Sequence, residues 1–272
     1  MLKALLKQAC KRIDYLDAVL LMAFVLNREK VSVMTAREDE ALTKEQAMRY
    51  KAYVDQRAAH KPLAYITGRC EFMGLDFEVN EYTLIPRPAS ETVVEAALDI
   101  IKQSGIKTVL ELCTGSGCIA VSLSALSQAT LDIAASDISI KALEVARKNA
   151  VRHGVSIEFI RSDLFSHIDP RIYDLIIANP PYIPHNEINA LPCSVRDYEP
   201  HTALDGGTDG LDFYRAVIKE PVNLVILEIG YNQAKDVKNI LEQYNFRDIQ
   251  IINDLAGHNR VITAQRMDGI YV

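Results

Sequence analysis

Apolar side chains recur at helical spacing through the first part of the chain, residues 1–62, and no alternation typical of a strand interrupts them. Thr43 and Gln46 have the spacing of a capping box, in which two side chains satisfy free N–H groups where a helix begins. The box predicts a helix that begins after Thr43, runs to about Ala59 and stops before Pro62. We therefore predict a small helical domain over residues 1–62.

The pattern changes in the next segment, residues 63–90. Two glycines interrupt it, and apolar and polar side chains alternate over residues 75–79, as they do in paired strands. We predict a β-hairpin linker over residues 63–90 that ends at the rigid Pro-Arg-Pro block of residues 86–88. A helix from about residue 90 to residue 103 is expected to follow.

From Thr108 onward, short apolar runs alternate with amphipathic segments. This alternation is typical of βαβ units and predicts an α/β fold with a doubly wound, mostly parallel sheet. Ligands of such a sheet bind at the carboxyl ends of its strands. The predicted strands cover residues 108–112, 131–135, 157–160, 173–178, 224–227, 246–252 and 260–264, and the predicted helices cover 118–127, 140–153 and 233–244.

Composition narrows the class of protein. The chain has a net charge of −6 and no basic cluster, which argues against binding duplex DNA through many phosphate contacts. No apolar run approaches the roughly 18 to 20 residues needed to cross a bilayer. The five cysteines lack the paired short spacings of a zinc site or a disulfide framework. We expect a cytoplasmic protein without a metal site, with reduced cysteines and no membrane or nucleic-acid partner.

A glycine turn follows the first strand of the predicted sheet. Residues 111–117 read Glu-Leu-Cys-Thr-Gly-Ser-Gly, and the glycines allow the backbone to approach a ligand closely beside the free N–H groups of the next helix. The dinucleotide fingerprint requires a third glycine where this chain has Ala120, and the lysine of a phosphate-binding loop is absent. The turn therefore predicts a ligand site that does not depend on phosphates.

Polar residues also end the second and third predicted strands. Asp137 can accept hydrogen bonds from ribose hydroxyls, although it could equally cap the helix that begins near Ile140. At the third strand end, Asp163 can meet an adenine edge while Leu164 covers the ring, although a plain turn would explain the same residues. Taken in order with the glycine turn, these strand ends suit S-adenosylmethionine, which carries ribose and adenine but no phosphate.

The fourth predicted strand leads into an Asn-Pro-Pro-Tyr motif, residues 179–182. Proline lacks an N–H group and biases the residue before it toward extended backbone, so Asn179 and Pro180 present free acceptors for an NH2 group. An ordinary turn after a buried strand could also read this way. Beside three polar strand ends, however, the motif predicts a pocket for a planar amide or amine and methyl transfer to nitrogen.

Further blocks accompany these motifs along nearly the whole chain. With them the sequence resembles the S-adenosylmethionine-dependent methyltransferases that modify a glutamine of peptide chain release factors, the HemK or PrmC type. The blocks are Pro-Leu-Ala-Tyr-Ile-Thr-Gly at 62–68, Leu-Ile-Pro-Arg-Pro at 84–88, Thr-Gly-Ser-Gly at 114–117, Asn-Pro-Pro-Tyr-Ile-Pro at 179–184, Leu-Asp-Gly-Gly-Thr-Asp-Gly-Leu at 204–211, Leu-Glu-Ile-Gly at 227–230 and Asp-Leu-Ala-Gly at 254–257.

The resemblance implies a layout and a reaction. Residues 1–62 would recognise the substrate, and residues 91–272 would form a seven-stranded Rossmann-like methyltransferase domain joined to them by the hairpin. The methyl donor would be S-adenosyl-L-methionine. The acceptor would be the glutamine of the Gly-Gly-Gln motif of class 1 release factors, and the enzyme is expected to be a monomer.

The resemblance also implies roles for particular residues. Asn179, Pro180 and Tyr182 would be catalytic, and together with Pro181 they would hold the substrate glutamine. The residues implied to bind the cofactor are Glu111, Cys113, Thr114, Gly115, Ser116, Gly117, Asp137, Asp163, Leu164 and Asn179.

The chain departs from the family pattern in two places. It has Ala89-Ser90 where the family usually has an acidic or Glu-Thr-like pair, and Glu111 where the family usually has Asp. Three other functions stay open at this point: methylation of the exocyclic amine of adenine, methylation of a ribosomal-protein glutamine, and cofactor binding without turnover. The acidic charge balance argues against the first, and the intact motifs argue against the last.

Overall fold

The computed structural model describes residues 1–267, which divide into two compact units. The first, called here the N-terminal unit, comprises Met1–Arg69 together with Pro192–Tyr198. The second, called the sheet unit, comprises Cys70–Leu191 and the chain from Glu199 onward. The linker predicted over residues 63–90 is thus divided between the two units.

Helices and strands follow one another along the chain as the alternating pattern requires. The helices are α1 (Leu2–Ala9), α2 (Tyr15–Leu26), α3 (Lys30–Met34), α4 (Lys44–Ala58), α5 (Leu63–Thr67), α6 (Glu91–Ser104), α7 (Cys118–Leu126), α8 (Ile140–Arg152), α9 (Cys193–Arg196), α10 (Asp212–Ile218) and α11 (Ala234–Gln243). The strands are β1 (Arg69–Phe72), β2 (Leu75–Glu78), β3 (Thr108–Leu112), β4 (Asp132–Asp137), β5 (Glu158–Arg161), β6 (Leu175–Ala178), β7 (Leu224–Glu228), β8 (Phe246–Asn253) and β9 (Asn259–Arg266).

The N-terminal unit is the predicted helical bundle, with a core that includes the fully buried Met22 and Tyr50. The capping box is confirmed, because the Thr43 N–H donates to Gln46 Oε1 at 2.9 Å and the Gln46 N–H donates to Thr43 Oγ1 at 3.1 Å. One part of the hairpin prediction is wrong. The segment from residue 63 begins with the short helix α5, and the two hairpin strands form only after it.

The sheet unit contains the predicted seven-stranded sheet, in the order β5-β4-β3-β6-β7-β9-β8. The strands from β5 to β7 are parallel, and β9 runs antiparallel to both β7 and β8. Alternate residues of β6 belong to two different apolar clusters, Leu175 and Ile177 to one and Ile176 and Ala178 to the other. The strand is therefore covered on both faces, which explains its uninterrupted apolar sequence.

The register of the parallel strands positions the site. Leu112 at the end of β3 pairs with Ser136 of β4 on one side and with Ala178 of β6 on the other. Because parallel strands present their carboxyl ends at the same edge, the glycine turn and the Asn-Pro-Pro-Tyr motif emerge beside each other. Helix α10 begins directly after the acidic, glycine-rich segment 205–211, whose composition predicts a loop that leads into a helix near the site.

Candidate active site

A cavity of about 650 Å³ opens at the carboxyl ends of the parallel strands of the sheet unit. Segments far apart in the sequence contribute to its wall, including the chain that leads into α6 and the loop before α10. Of the predicted site residues, Gly117, Pro180 and Tyr182 are not among those that line it. The predicted residues that do line it are Glu111, Cys113, Thr114, Gly115, Ser116, Asp137, Asp163, Leu164, Asn179 and Pro181.

The turn after β3 has the left-handed backbone that its glycines permit. Cys113, Gly115 and Gly117 have φ angles of 57°, 54° and 79°. Within the described part of the chain, nothing lies within 4 Å of the position that a Gly115 side chain would take, so the backbone there is open to a ligand. Gly117 differs, because a Cβ there would stand 3.0 Å from the Cβ of Ala146 in α8. Gly117 therefore allows α7 and α8 to pack closely.

Glu111 places a buried carboxyl group at the wall of the cavity. The side chain is 2% exposed, and its Oε2 accepts hydrogen bonds from Thr114 Oγ1 at 2.5 Å and from the Ala120 N–H at 3.1 Å. Burial raises the pKa of Glu111 to about 8, against the opposing effect of these two hydrogen bonds. A cation that reaches this carboxyl group would favour its ionised form.

Asp137 holds the glycine turn in place. Its Oδ2 accepts from the Gly115 N–H at 2.9 Å, and its Oδ1 accepts from the Ser139 N–H at 2.9 Å. The alternative role as helix cap is wrong, since Ser139 caps α8 by accepting from the Ala142 N–H at 3.2 Å. Each carboxylate oxygen has more than one lone-pair site, so Asp137 can still accept a hydrogen bond from a hydroxyl group of a ligand in the cavity.

The loop after β5 supplies the next part of the wall. Leu164 has a φ angle of 48° and packs against the apolar cluster that includes Ile176 and Ala178 of β6. Asp163 lines the cavity beside it, while the buried Ser162 accepts a hydrogen bond from the His167 N–H at 3.2 Å. The two predicted adenine contacts, Asp163 and Leu164, thus lie on one side of the same cavity.

Asn179 directly follows the end of β6, and one end of its side-chain amide is fixed by a hydrogen bond. Its Nδ2 donates a hydrogen bond to Ser90 Oγ at 3.1 Å. Because the oxygen and nitrogen of an amide point in different directions, this bond leaves Asn179 Oδ1 as the atom that can accept from a ligand. The hydrogen bond to Ser90 thus uses the amide nitrogen of Asn179 as donor and leaves the acceptor role that the motif predicts to its amide oxygen.

Tyr182 is held at both ends. Its phenol donates to Glu228 Oε1 at 3.2 Å, and its carbonyl oxygen accepts from Gln233 Nε2 at 2.8 Å. Glu228 ends β7 and is 2% exposed. Burial raises its pKa, against the opposing effects of a hydrogen bond with Ser90 and the positive charges of Arg260 and Arg87. Burial and the adjacent Glu228 raise the pKa of Tyr182, so the phenol is protonated at neutral pH.

The glycine-rich segment before α10 packs directly on the backbone of the Asn-Pro-Pro-Tyr motif. A Cβ at Gly206 would stand 2.8 Å from Tyr182 Cα, and a Cβ at Gly210 would stand 2.4 Å from the Tyr182 carbonyl oxygen. The Ile183 N–H also donates to the Leu204 carbonyl oxygen at 3.0 Å. Only glycine allows this close approach, so the segment serves as a rigid support for the motif.

Replacing Gly210 by alanine is expected to lower the free energy of unfolding by about 3 kcal/mol, through left-handed backbone strain and a clash with the Tyr182 carbonyl. Gly257→Ala is the matched control, since Gly257 has a similar φ angle of +82° but open space around it within the described residues. It should cost only about 1 kcal/mol. Urea unfolding curves measure both values, and equal losses would contradict the supporting role of Gly210.

Sequence patterns did not single out Ser90, Gln233 or Glu228 as site residues. Glu228 lies in a block that supported the resemblance, and its position at a strand end is the signal that could have identified it. An ion pair was also missed. Arg87 pairs with Glu199, a buried carboxylate whose Oε2 also accepts from the Ile85 N–H at 3.2 Å. This pair holds the Pro-Arg-Pro block at the cavity wall.

No group of three or more metal-binding side chains is found in residues 1–267. No helix in that part of the chain is long and apolar enough to cross a membrane.

Comparison with known proteins adds independent information. A family model described as the PrmC N-terminal domain matches residues 1–68, and one described as the Methyltransferase small domain matches residues 92–191. In three dimensions the chain is similar to the hMettl16 catalytic domain solved with a MAT2A 3'UTR hairpin, with a TM-score of 0.59, 16% identity and coverage of 92% of this chain and 94% of that one. At that identity the likeness concerns the fold alone.

The seven-stranded fold, the glycine turn after β3 and the match to the Methyltransferase small domain together define this protein as an S-adenosylmethionine-dependent methyltransferase. Relatives that align with most of this chain narrow the assignment to one family. The Release factor glutamine methyltransferase of Clostridium acetobutylicum is 38% identical over 92% of this chain and 90% of its own length. That of Thermodesulfovibrio yellowstonii is 36% identical over 92% of each chain. The chain belongs to the release factor glutamine methyltransferase family.

Proposed function

We propose that this protein transfers a methyl group from S-adenosyl-L-methionine to the side-chain amide nitrogen of the glutamine in the Gly-Gly-Gln motif of class 1 release factors. The observation that carries the proposal is the orientation of Asn179. Its amide nitrogen is engaged by Ser90, so its oxygen is available to an NH2 group beside the cavity. Because these factors act in translation, we place the reaction in the cytoplasm.

The cavity residues suit this methyl donor. The wall near the glycine turn carries two carboxyl groups, Glu111 and Asp137, which favour an ammonium group and hydroxyls and disfavour phosphate. In our assignment Glu111 and the turn of residues 113–117 hold the methionine end, Asp137 holds the ribose, and Asp163 with Leu164 holds the adenine. When bound, the donor supplies an electrophilic methyl group on a positively charged sulfur.

The residues of the chain orient the acceptor. A glutamine amide nitrogen is a weak nucleophile because its lone pair is delocalised into the carbonyl group. Asn179 Oδ1 and the Pro180 carbonyl oxygen would accept its two hydrogens and aim the nitrogen at the methyl group, and such positioning can supply several kcal/mol. Tyr182 would pack against the amide plane. The nitrogen would form a bond to the methyl carbon as the carbon–sulfur bond of the donor breaks and leaves a neutral thioether. The nitrogen would then release one proton to solvent, so the balance requires no metal.

We further propose that the N-terminal unit contributes to recognition of the release factor. Two findings support this. Residues 1–68 match the PrmC N-terminal domain, and the alignment with the Clostridium acetobutylicum relative spans 92% of this chain, so it includes residues of both units. Deletion of residues 1–68 is expected to weaken release-factor binding more than cofactor binding.

The test is transfer of a labelled methyl group from S-adenosylmethionine to three acceptors: an intact class 1 release factor, the same factor with its Gly-Gly-Gln glutamine changed to alanine, and an adenine-containing duplex. Label on the intact factor alone is the expected result. Label on the duplex would move the function to adenine methylation. No label on any acceptor would contradict the proposed reaction.

A further inference from the structure

Ser90 lies at the start of α6, where a serine ordinarily caps the helix with its hydroxyl. This hydroxyl makes no capping hydrogen bond and instead accepts from Asn179 Nδ2, 89 residues along the chain. We propose that Ser90 and Glu228 are positioning residues that fix the orientation of the Asn179 amide and thereby of the methyl acceptor. This inference rests on the proposed function and adds residues that neither the motifs nor the family resemblance assigns.

The first step concerns the two ends of the Asn179 amide. An amide in a pocket can turn over and exchange its donor and acceptor ends unless a neighbour distinguishes them. A serine hydroxyl can donate as well as accept, so Ser90 alone would permit both orientations of Asn179. A further group must therefore fix the direction of the Ser90 hydrogen.

Glu228 is that group. Its carboxyl lies beside the Ser90 hydroxyl, and it also accepts from Tyr182 Oη at 3.2 Å. Glu228 Oε2 makes no hydrogen bond of ordinary geometry among residues 1–267, so this buried oxygen can attract the Ser90 hydrogen. An ionised carboxylate only accepts. The hydroxyl hydrogen of Ser90 then points to Glu228. The lone pairs of the Ser90 oxygen remain available to accept from Asn179 Nδ2.

Glu228 thus orders both sides of the acceptor pocket. Through Ser90 it directs Asn179 Oδ1 to the ligand side, and through its Oε1 it anchors the Tyr182 ring. Burial raises the pKa of Glu228, and the hydrogen bond with Ser90 and the positive charges of Arg260 and Arg87 oppose this rise, so these neighbours support the ionised form that accepts from Ser90. The β7 end, the α6 start and the Asn-Pro-Pro-Tyr motif are therefore joined in one hydrogen-bond network.

Three variants test the network in the full-length enzyme. Ser90→Ala removes the acceptor of the Asn179 N–H, and it should lower kcat on the release factor by roughly 10- to 100-fold with an unchanged Kd for S-adenosylmethionine. Glu228→Gln keeps the shape but adds a donor, which leaves the Ser90 hydrogen free to turn toward Asn179, so a similar fall is expected. Ser90→Thr keeps the hydroxyl and should retain most of the wild-type kcat.

Pairing each substitution with Asn179→Ala separates positioning from a general structural role. Without the Asn179 amide there is nothing for Ser90 to orient, so Ser90→Ala should cost little further turnover in that background. Wild-type kcat in both Ser90→Ala and Glu228→Gln would overturn the inference, as would an equal loss with and without Asn179. A wild-type enzyme that does not methylate the factor would instead overturn the proposed function, and the inference with it.

Discussion

Replacing Asn179 by alanine is expected to lower methyl transfer to the release factor by roughly 100- to 1,000-fold, because the acceptor nitrogen loses the oxygen that aims it. The cavity wall formed by Glu111 and Asp137 does not depend on that side chain. Binding of S-adenosylmethionine should therefore be largely retained. Single-turnover methyl transfer and calorimetric titration of the cofactor measure the two effects separately.

Asn186→Ala is the matched control, since Asn186 is exposed and lies a few residues beyond the motif. It should leave both turnover and cofactor binding unchanged. An Asn179→Ala enzyme with near-normal turnover would remove Asn179 from the mechanism. A parallel loss of cofactor affinity would show instead that the residue acts mainly on the donor side.

Binding of S-adenosylmethionine is expected to depend strongly on pH through Glu111, whose pKa burial raises to about 8 in the free enzyme. Below this value Glu111 is largely protonated, and a bound ammonium group favours the carboxylate, so binding releases a proton. Affinity should rise by roughly tenfold per pH unit as the pH increases toward 8 and then level off. Titration calorimetry in buffers of different ionisation enthalpy counts the protons released.

Glu111→Gln removes the titrating group at nearly constant size. Its cofactor affinity should be lower than that of the wild type at pH 8 and should lose this rise with pH. Glu95→Gln, on the exposed face of α6, controls for the change in net charge and should behave as the wild type does. Proton release that persists in Glu111→Gln would assign the effect to another group, and Asp137 is the nearest candidate.

Much of the sheet unit could be predicted because its patterns are local. Uninterrupted apolar runs such as that of β6 reflect burial on both faces, and the glycines of the turn after β3 reflect left-handed backbone. Because polar residues follow successive strands, the sequence predicted that Asp137, Asp163 and Asn179 surround one ligand site. In the structure all three line the same cavity.

What could not be predicted depends on contacts between distant segments. Ser90 meets Asn179 across 89 residues, and Tyr182 meets Glu228 across 46, and no local pattern encodes either pair. The choice between Asp137 and Ser139 as the cap of α8 depends on local geometry that both residue types satisfy equally well. Pro192–Tyr198 joins the N-terminal unit through contacts such as the Tyr198 hydroxyl to the Ala59 carbonyl, 2.6 Å apart.

The central claim is that the methyl group goes to one glutamine side-chain nitrogen, and peptide mapping by tandem mass spectrometry tests it most directly. A class 1 release factor is incubated with S-adenosylmethionine and either the wild-type enzyme or Asn179→Ala, then digested and sequenced by fragmentation. We predict the added mass of one methyl group on the side chain of the Gly-Gly-Gln glutamine after wild-type treatment, and almost none after treatment with the variant. A methyl group on any other residue, or no modification with the wild-type enzyme, would contradict the account.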